Sequence, residues 1–247
     1  MNELKSRITA NIVIAVIVAA AIIAASFILV GGVKAVKEGG NRLIVTGSAK
    51  KEITSDLIVW TANFSASSPD LREAYTALES EKQAVYDYLV KNGVDKGEIY
   101  FSSINTYAVN TILPNGMYSQ EIDHYELNQT VTVSSHEVDK ITEISRNITE
   151  LINEGVYLTS NPPQYMYTKI ADLKVEMLAE ATKDATKRAE MIAENAGSKL
   201  GKLRYADMGV FQITPRYSNE VSDYGINDTY SLEKEITAIV HCQFDIE

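Results

Sequence analysis

The first hydrophobic run decides how the chain begins. From Ile8 to Val33 there is no Asp, Glu, Lys or Arg, and Asn11 is the only strongly polar side chain among Ile, Val, Ala, Leu and Phe. A helix rises about 1.5 Å per residue and a bilayer's hydrocarbon core is about 30 Å thick, so about 20 apolar residues span it. The run predicts a transmembrane anchor over residues 8–33, between a short tail, 1–7, and a glycine-bearing linker, 34–41. A cleaved secretory signal competes with this reading, because Lys5 and Arg7 precede the run and Ala24-Ala25-Ser26 is small. A signal's apolar region is about 7–15 residues, however, and Phe27-Ile28-Leu29-Val30 continue past that point. Positive charge flanks the run on both sides, with Lys34, Lys37 and Arg42 behind it, and does not decide its direction. A long C-terminal body translocates largely regardless of its own charge. The N-terminus is therefore expected in the cytoplasm and the body outside a cell membrane that the chain crosses once.

Beyond the linker the pattern alternates between period two and period 3.6. Leu43 to Ala49 and Asp56 to Ser67 read as strands, and apolar side chains on both faces of the second mark it as interior. Ser68-Pro69-Asp70 opens a helix, with Ser68 as N-cap and Pro69 at the first helical position. Leu71, Ala74, Tyr75, Leu78, Val85 and Leu89 follow at helical spacing up to Gly93. Ile99 to Val109 and Tyr125 to Ser134 form the next strand pair, around a loop with Pro114-Asn115-Gly116. Ser134 and Glu137 make a capping-box pattern for a second helix running to Gly155. Short strands are expected at 156–159 and 164–167, then a long helix from Ile170 to Ala196 with an alanine-rich face. Lys202 to Phe211 and Glu235 to Phe244 are the last strands. Thr214 to Leu232, with no apolar period, reads as a mobile loop. The predicted body, 42–247, is a mixed α+β layer of order ββα-ββα-βα-ββ, with strands paired as hairpins, built as one large domain or two small lobes.

Charge narrows the partners. Residues 41–247 hold all but four of the 23 basic and all but two of the 33 acidic side chains, leaving a net charge of about −12. Nucleic-acid affinity rests on Lys and Arg neutralising phosphates, so nucleic acid is not an expected partner. Cys242 is the only cysteine, which rules out an intrachain disulfide and leaves stability to a hydrophobic core.

Catalytic chemistry is sparse. There is no His-Glu-x-x-His, no Gly-x-Ser-x-Gly, no phosphate-cradling glycine loop and no paired-cysteine motif. His241 and Cys242 are adjacent, but neighbours on a strand point to opposite faces and cannot share an ion or a substrate. His124 and His136 stand apart from them, without ligand spacing. No catalytic, cofactor-binding or metal-binding residue is assigned, and no cofactor is expected. The 14 tyrosines are the unusual feature. Tyrosine buries area at low rotamer cost while keeping a polar tip, as interfaces require. Tyr107, Tyr118, Tyr217, Tyr224 and Tyr230 are the candidate interface residues, while Tyr165 and Tyr167 read as packing.

Several stretches resemble a known family. Arg42-Leu43-Ile44-Val45-Thr46-Gly47-Ser48-Ala49 is similar to the opening Val-Thr-Gly strand of the SIMPL domain, a group of unknown function that includes bacterial envelope proteins of the YggE type. Leu89-Val90-Lys91-Asn92-Gly93-Val94 and Val131-Thr132-Val133 continue the likeness. Ala179-Glu180-Ala181-Thr182-Lys183-Asp184-Ala185 through Arg188-Ala189-Glu190 resembles the family's Ala-x-x-Asp-Ala helix. Ala196-Gly197-Ser198-Lys199-Leu200-Gly201-Lys202 resembles the turn that follows it. The resemblance implies an α+β envelope protein that assembles into large ring or channel-like homo-oligomers, with no established catalysis. This chain departs from that pattern in the Tyr-rich segment and the anchor.

The function expected from all this is a non-enzymatic, self-assembling scaffold held at the outer face of a membrane, whose partners are copies of itself and the bilayer. A ligand-binding or stress-sensing module, with a pocket near Trp60 or the Tyr-rich loops, is the alternative. A hydrolase with an unrecognised site ranks third.

Overall fold

The computed structural model describes residues 17–30 and 42–247. The tail 1–7, the linker 34–41 and the predicted anchor's ends, 8–16 and 31–33, lie outside the described residues. Residues 17–30 form helix α1, about 21 Å long by the helical rise, with every residue exposed. Its only hydroxyl, Ser26 Oγ, donates to the Ile22 carbonyl at 2.8 Å. Among the described residues, no helix is long and apolar enough to cross a membrane.

The remaining elements confirm an α+β body. They are β1 (Arg42–Thr54), β2 (Leu57–Ser68), α2 (Leu71–Lys91), β3 (Ile99–Phe101), β4 (Asn105–Ile112), β5 (Tyr118–Ser135), α3 (Val138–Asn147), β6 (Leu158–Ser160), β7 (Gln164–Met166), α4 (Ile170–Asn195), β8 (Leu200–Met208), β9 (Gln212–Pro215), β10 (Ile226–Asn227) and β11 (Glu233–Ile246). Two compact units form. The larger is Ala49–Glu180 with Val210–Ile239; the smaller holds, of the body, residues 42–48, Ala181–Gly209 and Val240–Glu247.

The larger unit is organised by β2, which is interior as its two-sided apolar pattern predicts. Antiparallel β5 lies along one edge and β6 and β7 share the other, while β3 and β4 continue the sheet beyond β5. One face of β2 presents Ile58, Trp60, Ala62 and Phe64, all essentially buried against Ala74, Leu78, Val85 and Leu89 of α2 and Ile141 and Ile144 of α3. Burying each large side chain of this set contributes about 1.5–3 kcal/mol. The Trp60 indole N–H donates to Ser160 Oγ at 3.0 Å, and that hydroxyl donates to the Ser145 carbonyl at 2.6 Å, so the core's one polar ring atom is satisfied.

In the smaller unit the alanine face of α4 packs as its composition suggests. Ala181, Ala185, Ala189 and Ala193 are buried. A Cβ on Gly47 would stand 2.1 Å from the Ala181 carbonyl oxygen and 2.5 Å from the Ala185 nitrogen, so strand β1 rests directly on helical backbone. Residues Val240–Ile246 of β11 pair antiparallel with β8.

Several sequence expectations are corrected. β1 and β2 do not form a hairpin: β1 joins β11 in a sheet of order β1-β11-β9-β10, with β8 also on β11. The first and last strands meet, a long-range pairing that local periodicity cannot reveal. The N-cap of α2 is Asp70, whose carboxylate accepts from the Arg72 and Glu73 N–H groups. Ser68 still belongs to β2, opposite Tyr125. The expected strand 99–109 breaks into β3 and β4 around Ser102, whose carbonyl and hydroxyl take Gln129 Nε2 and the Thr130 N–H. Ser134 caps nothing; Ser135 Oγ accepts the Glu137 N–H instead, and α3 gives way after Asn147 to a 3-10 segment ending at Gly155. The last strand pair shifts as well, with β8 ending at Met208 rather than Phe211.

Candidate functional site

The candidate tyrosines fall into two groups, both in the larger unit. Tyr107 and Tyr118 lie on the β4–β5 hairpin. β2 pairs with β5 only from Tyr125 onward, so residues 118–124 have β4 as their sole strand partner. Leu113 and Gly116 close the turn through Leu113 N–H to Met117 O and Gly116 N–H to Leu113 O, with Gly116 in the left-handed region at φ 81. The result is a two-stranded ribbon extending past the rest of its sheet. Ribbons of this kind are marginal in isolation and solvent-exposed apolar surface on them marks an interaction site. Here Ile112, Met117, Tyr118 and Ile122 are 63, 61, 72 and 48 % exposed, with Leu113 between them. The aliphatic neighbours of Tyr118 were not singled out by sequence. Their signal was present in the alternation across 107–122, interrupted by bulges after Val109 and Asn110.

Tyr217, Tyr224 and Tyr230 are exposed along residues 216–231, separate from the ribbon pair in sequence and in strand partners. This segment is tied down rather than free. β10 pairs parallel with β9, Gln212 Nε2 donates to the Ser222 carbonyl, and Gly225 turns at φ 84. Tyr217 is the only non-glycine residue with positive φ among the described residues, at 66°, beneath the Arg216 guanidinium 4.8 Å away. Local polar bonds order the segment, which is why no apolar period announced it.

At its end lies the most deeply buried charge of the unit, missed by sequence reasoning. Lys234 on β11 is 2 % exposed, and its ammonium donates to the carbonyls of Tyr165, at 2.9 Å, and Asp228, at 2.7 Å. The Asp228 carboxylate stands 3.9 Å away. Burial lowers the Lys234 pKa, and Asp228 pulls it partly back. Burial alone would raise Asp228, but the Tyr230 N–H, Ser231 and Lys234 outweigh it and hold the carboxyl below its ordinary range. A cavity of about 200 Å³ adjoins the pair, walled by Ile53, Tyr165, Met166, Ile170 and Ile213. With two N–H groups on backbone carbonyls, the ammonium works as a cationic staple joining β7, β11 and the loop after β10.

The other titratable groups are dispersed. Alternation along β11 leaves His241 exposed and Cys242 buried, and burial pushes the thiol up. His241 meets Thr46 Oγ1 at 3.0 Å, His124 meets Asp123 at 2.8 Å, and His136 donates from Nδ1 to the Asp56 carbonyl at 2.6 Å. Asp184 accepts the Ser48 N–H at 2.9 Å and Arg188 Nε at 2.8 Å, which keeps its pKa low. Glu81 on α2 differs from these: Oε2 is buried with no partner, and burial lifts its pKa to about 7 against the opposing pull of the Tyr157 N–H.

Comparison with known proteins finds a family match over the body. The model of the SIMPL family, described as a protein of unknown function (DUF541), matches residues 43–244. An uncharacterized protein YggE of Edwardsiella ictaluri (strain 93-146) is 22 % identical over 220 residues, covering 84 % of this chain and 85 % of the relative. With nearly the whole body matched, the chain belongs to the SIMPL family.

Proposed function

We propose that this protein is a non-enzymatic scaffold, anchored by residues 8–33 with its body outside the membrane, and that copies self-assemble through the β4–β5 ribbon. The carrying observation is that ribbon: a two-stranded extension whose exposed Ile112, Met117, Tyr118 and Ile122 form an apolar surface that a monomer leaves in water. Burying such a patch, of a few hundred Å² by its residue content, gives the contact between copies its drive. The anchor is supported by the uncharged run of 8–33 and by α1, whose apolar side chains are all exposed and whose one hydroxyl bonds within the helix. Acting as a scaffold rather than an enzyme fits a body whose buried ammonium is engaged by backbone carbonyls.

Light scattering of the full-length chain in detergent, across protein concentrations, tests the reading. The expected result is an assembly of many copies that Ile112→Asp with Ile122→Asp breaks to smaller species. A monomer at every concentration overturns it. Protease digestion of intact cells tests direction: the body is cleaved if it faces outward, and full protection reverses the orientation.

The cavity beside Lys234 favours a second reading, a ligand-binding or stress-sensing module. A ligand there raises the thermal midpoint, since binding to the native state alone must stabilise it. Trp60, fully buried elsewhere, is not the probe for it.

A further inference from the structure

The face of the six-stranded sheet opposite the α2 core carries a cleft that neither self-assembly nor the lysine staple uses. Alternation sends Asn63 and Ser65 of β2, Asn128 and Thr130 of β5, Asn105 of β4 and Thr159 of β6 to this side, away from Phe64 and Leu127. The strand register sets them in two rows. Asn105 lies opposite Asn128, which lies opposite Ser65; Thr130 lies opposite Asn63, which lies opposite Thr159. Together with Tyr157, which is 76 % exposed at one end, they line a cleft of about 360 Å³.

The chemistry of the lining is narrow. No Lys, Arg, Asp or Glu contributes to it, in a body whose net charge is about −12. Phosphates and other anions lack a cation to meet, and metal ions lack a carboxylate. What remains is amide and hydroxyl. Thr130 Oγ1 donates to Asn63 Oδ1 at 2.7 Å and Asn128 Nδ2 donates to Glu126 at 3.3 Å, which orients both amides and leaves Asn63 Nδ2 and Asn128 Oδ1 unengaged.

An array of neutral donors and acceptors beside an exposed aromatic ring matches one ligand chemistry. Asn63 Nδ2 offers a donor and Asn128 Oδ1 an acceptor, a pair that suits neighbouring hydroxyls, and a tyrosine face accepts the C–H groups of a sugar ring. We infer that this cleft binds a neutral oligosaccharide, with Asn63, Asn128 and Thr159 recognising its hydroxyls and Tyr157 stacking on a ring. The inference does not depend on self-assembly.

Titration calorimetry of the full-length protein in detergent with chitotetraose, cellotetraose and maltotetraose tests it, with a heparin tetrasaccharide as charged control. At least one neutral tetrasaccharide is expected to bind once per chain. Asn128→Ala and Tyr157→Ala should each weaken binding by about tenfold or more, one order of magnitude in the dissociation constant. Thr159→Val, which keeps the side-chain volume, guards against a folding artefact and should also weaken binding at an unchanged thermal midpoint. No binding of any neutral tetrasaccharide at millimolar concentration overturns the inference, as does binding indifferent to all three substitutions or equal binding of heparin.

Discussion

Glu81 makes the stability of the body depend on pH in a direction opposite to the usual carboxylate. Its Oε2 is buried without a partner, and the pKa rises from 4.5 to about 7. The folded state therefore holds a proton that the unfolded chain has released between those two values. Stability is greatest below about 4.5, falls as pH rises through the window, and levels off above about 7. At 1.36 kcal/mol per pH unit the full shift corresponds to about 3 kcal/mol, which partial solvent contact reduces to about 1–2 kcal/mol. Glu81→Gln removes the titration while keeping shape. Urea unfolding of wild type and variant at pH 5, 6, 7 and 8 is the assay. The difference between the two should grow by about 1–2 kcal/mol in the variant's favour from pH 5 to pH 8, or about 3–6 °C in thermal midpoint for a body of this size. Subtracting the two profiles cancels Asp56, Asp184 and Asp228, whose lowered pKa values act only at more acidic pH. Parallel profiles across the window would refute the reasoning.

Other perturbations probe other links. Gly47→Ala forces a Cβ onto the backbone of α4 and should cost about 3 kcal/mol in urea unfolding, as overpacking against immobile backbone does. Lys234→Met leaves the Tyr165 and Asp228 carbonyls unpaired and should destabilise by about 3–5 kcal/mol, with residues 226–231 the first to lose hydrogen-exchange protection. Tyr217→Gly relieves a left-handed side-chain clash and should stabilise by about 1 kcal/mol in the same unfolding assay. Asp228→Asn should weaken the acid limb of the stability profile, since a carboxylate held low contributes in full above its unfolded pKa and that contribution is lost as pH falls from there through the folded pKa.

What could be read from the chain follows from the range of the interactions concerned. The core-facing residues of α2 and β2 announce themselves by period, because one face of each is buried and the other is not. The partnership of β1 with β11 could not be read that way, since it is encoded only in which surfaces fit across nearly two hundred residues. The order in 216–231 was invisible for another reason: Gln212, Asp228 and Lys234 hold it by hydrogen bonds that need no repeating hydrophobic pattern. The five candidate interface tyrosines are all exposed, but sequence reasoning missed the aliphatic company that makes the ribbon of Tyr107 and Tyr118 a contact candidate. The buried Lys234 had no sequence signal, because a lysine among Glu233 and Glu235 reads as solvated surface.

The segments that carry the family likeness most strongly gain a physical meaning from where they meet. Val45-Thr46-Gly47-Ser48 on β1 and Ala181 to Ala185 on α4 pack together inside the smaller unit. Ala181 and Ala185 lie one helical turn apart on the same face, and Gly47 occupies the space that their missing side chains leave. One residue along the strand, the Ser48 N–H donates to Asp184, whose other partner is Arg188 one turn further on. The Ala-x-x-Asp-Ala spacing is thus what is needed to bring a helix into backbone contact with a strand and anchor it there by one charged hydrogen bond. These requirements apply to any protein with this helix–strand contact, whatever it binds. The likeness in these segments therefore speaks for the fold, and function must be sought where the contact makes no demand, on the ribbon and the open sheet face.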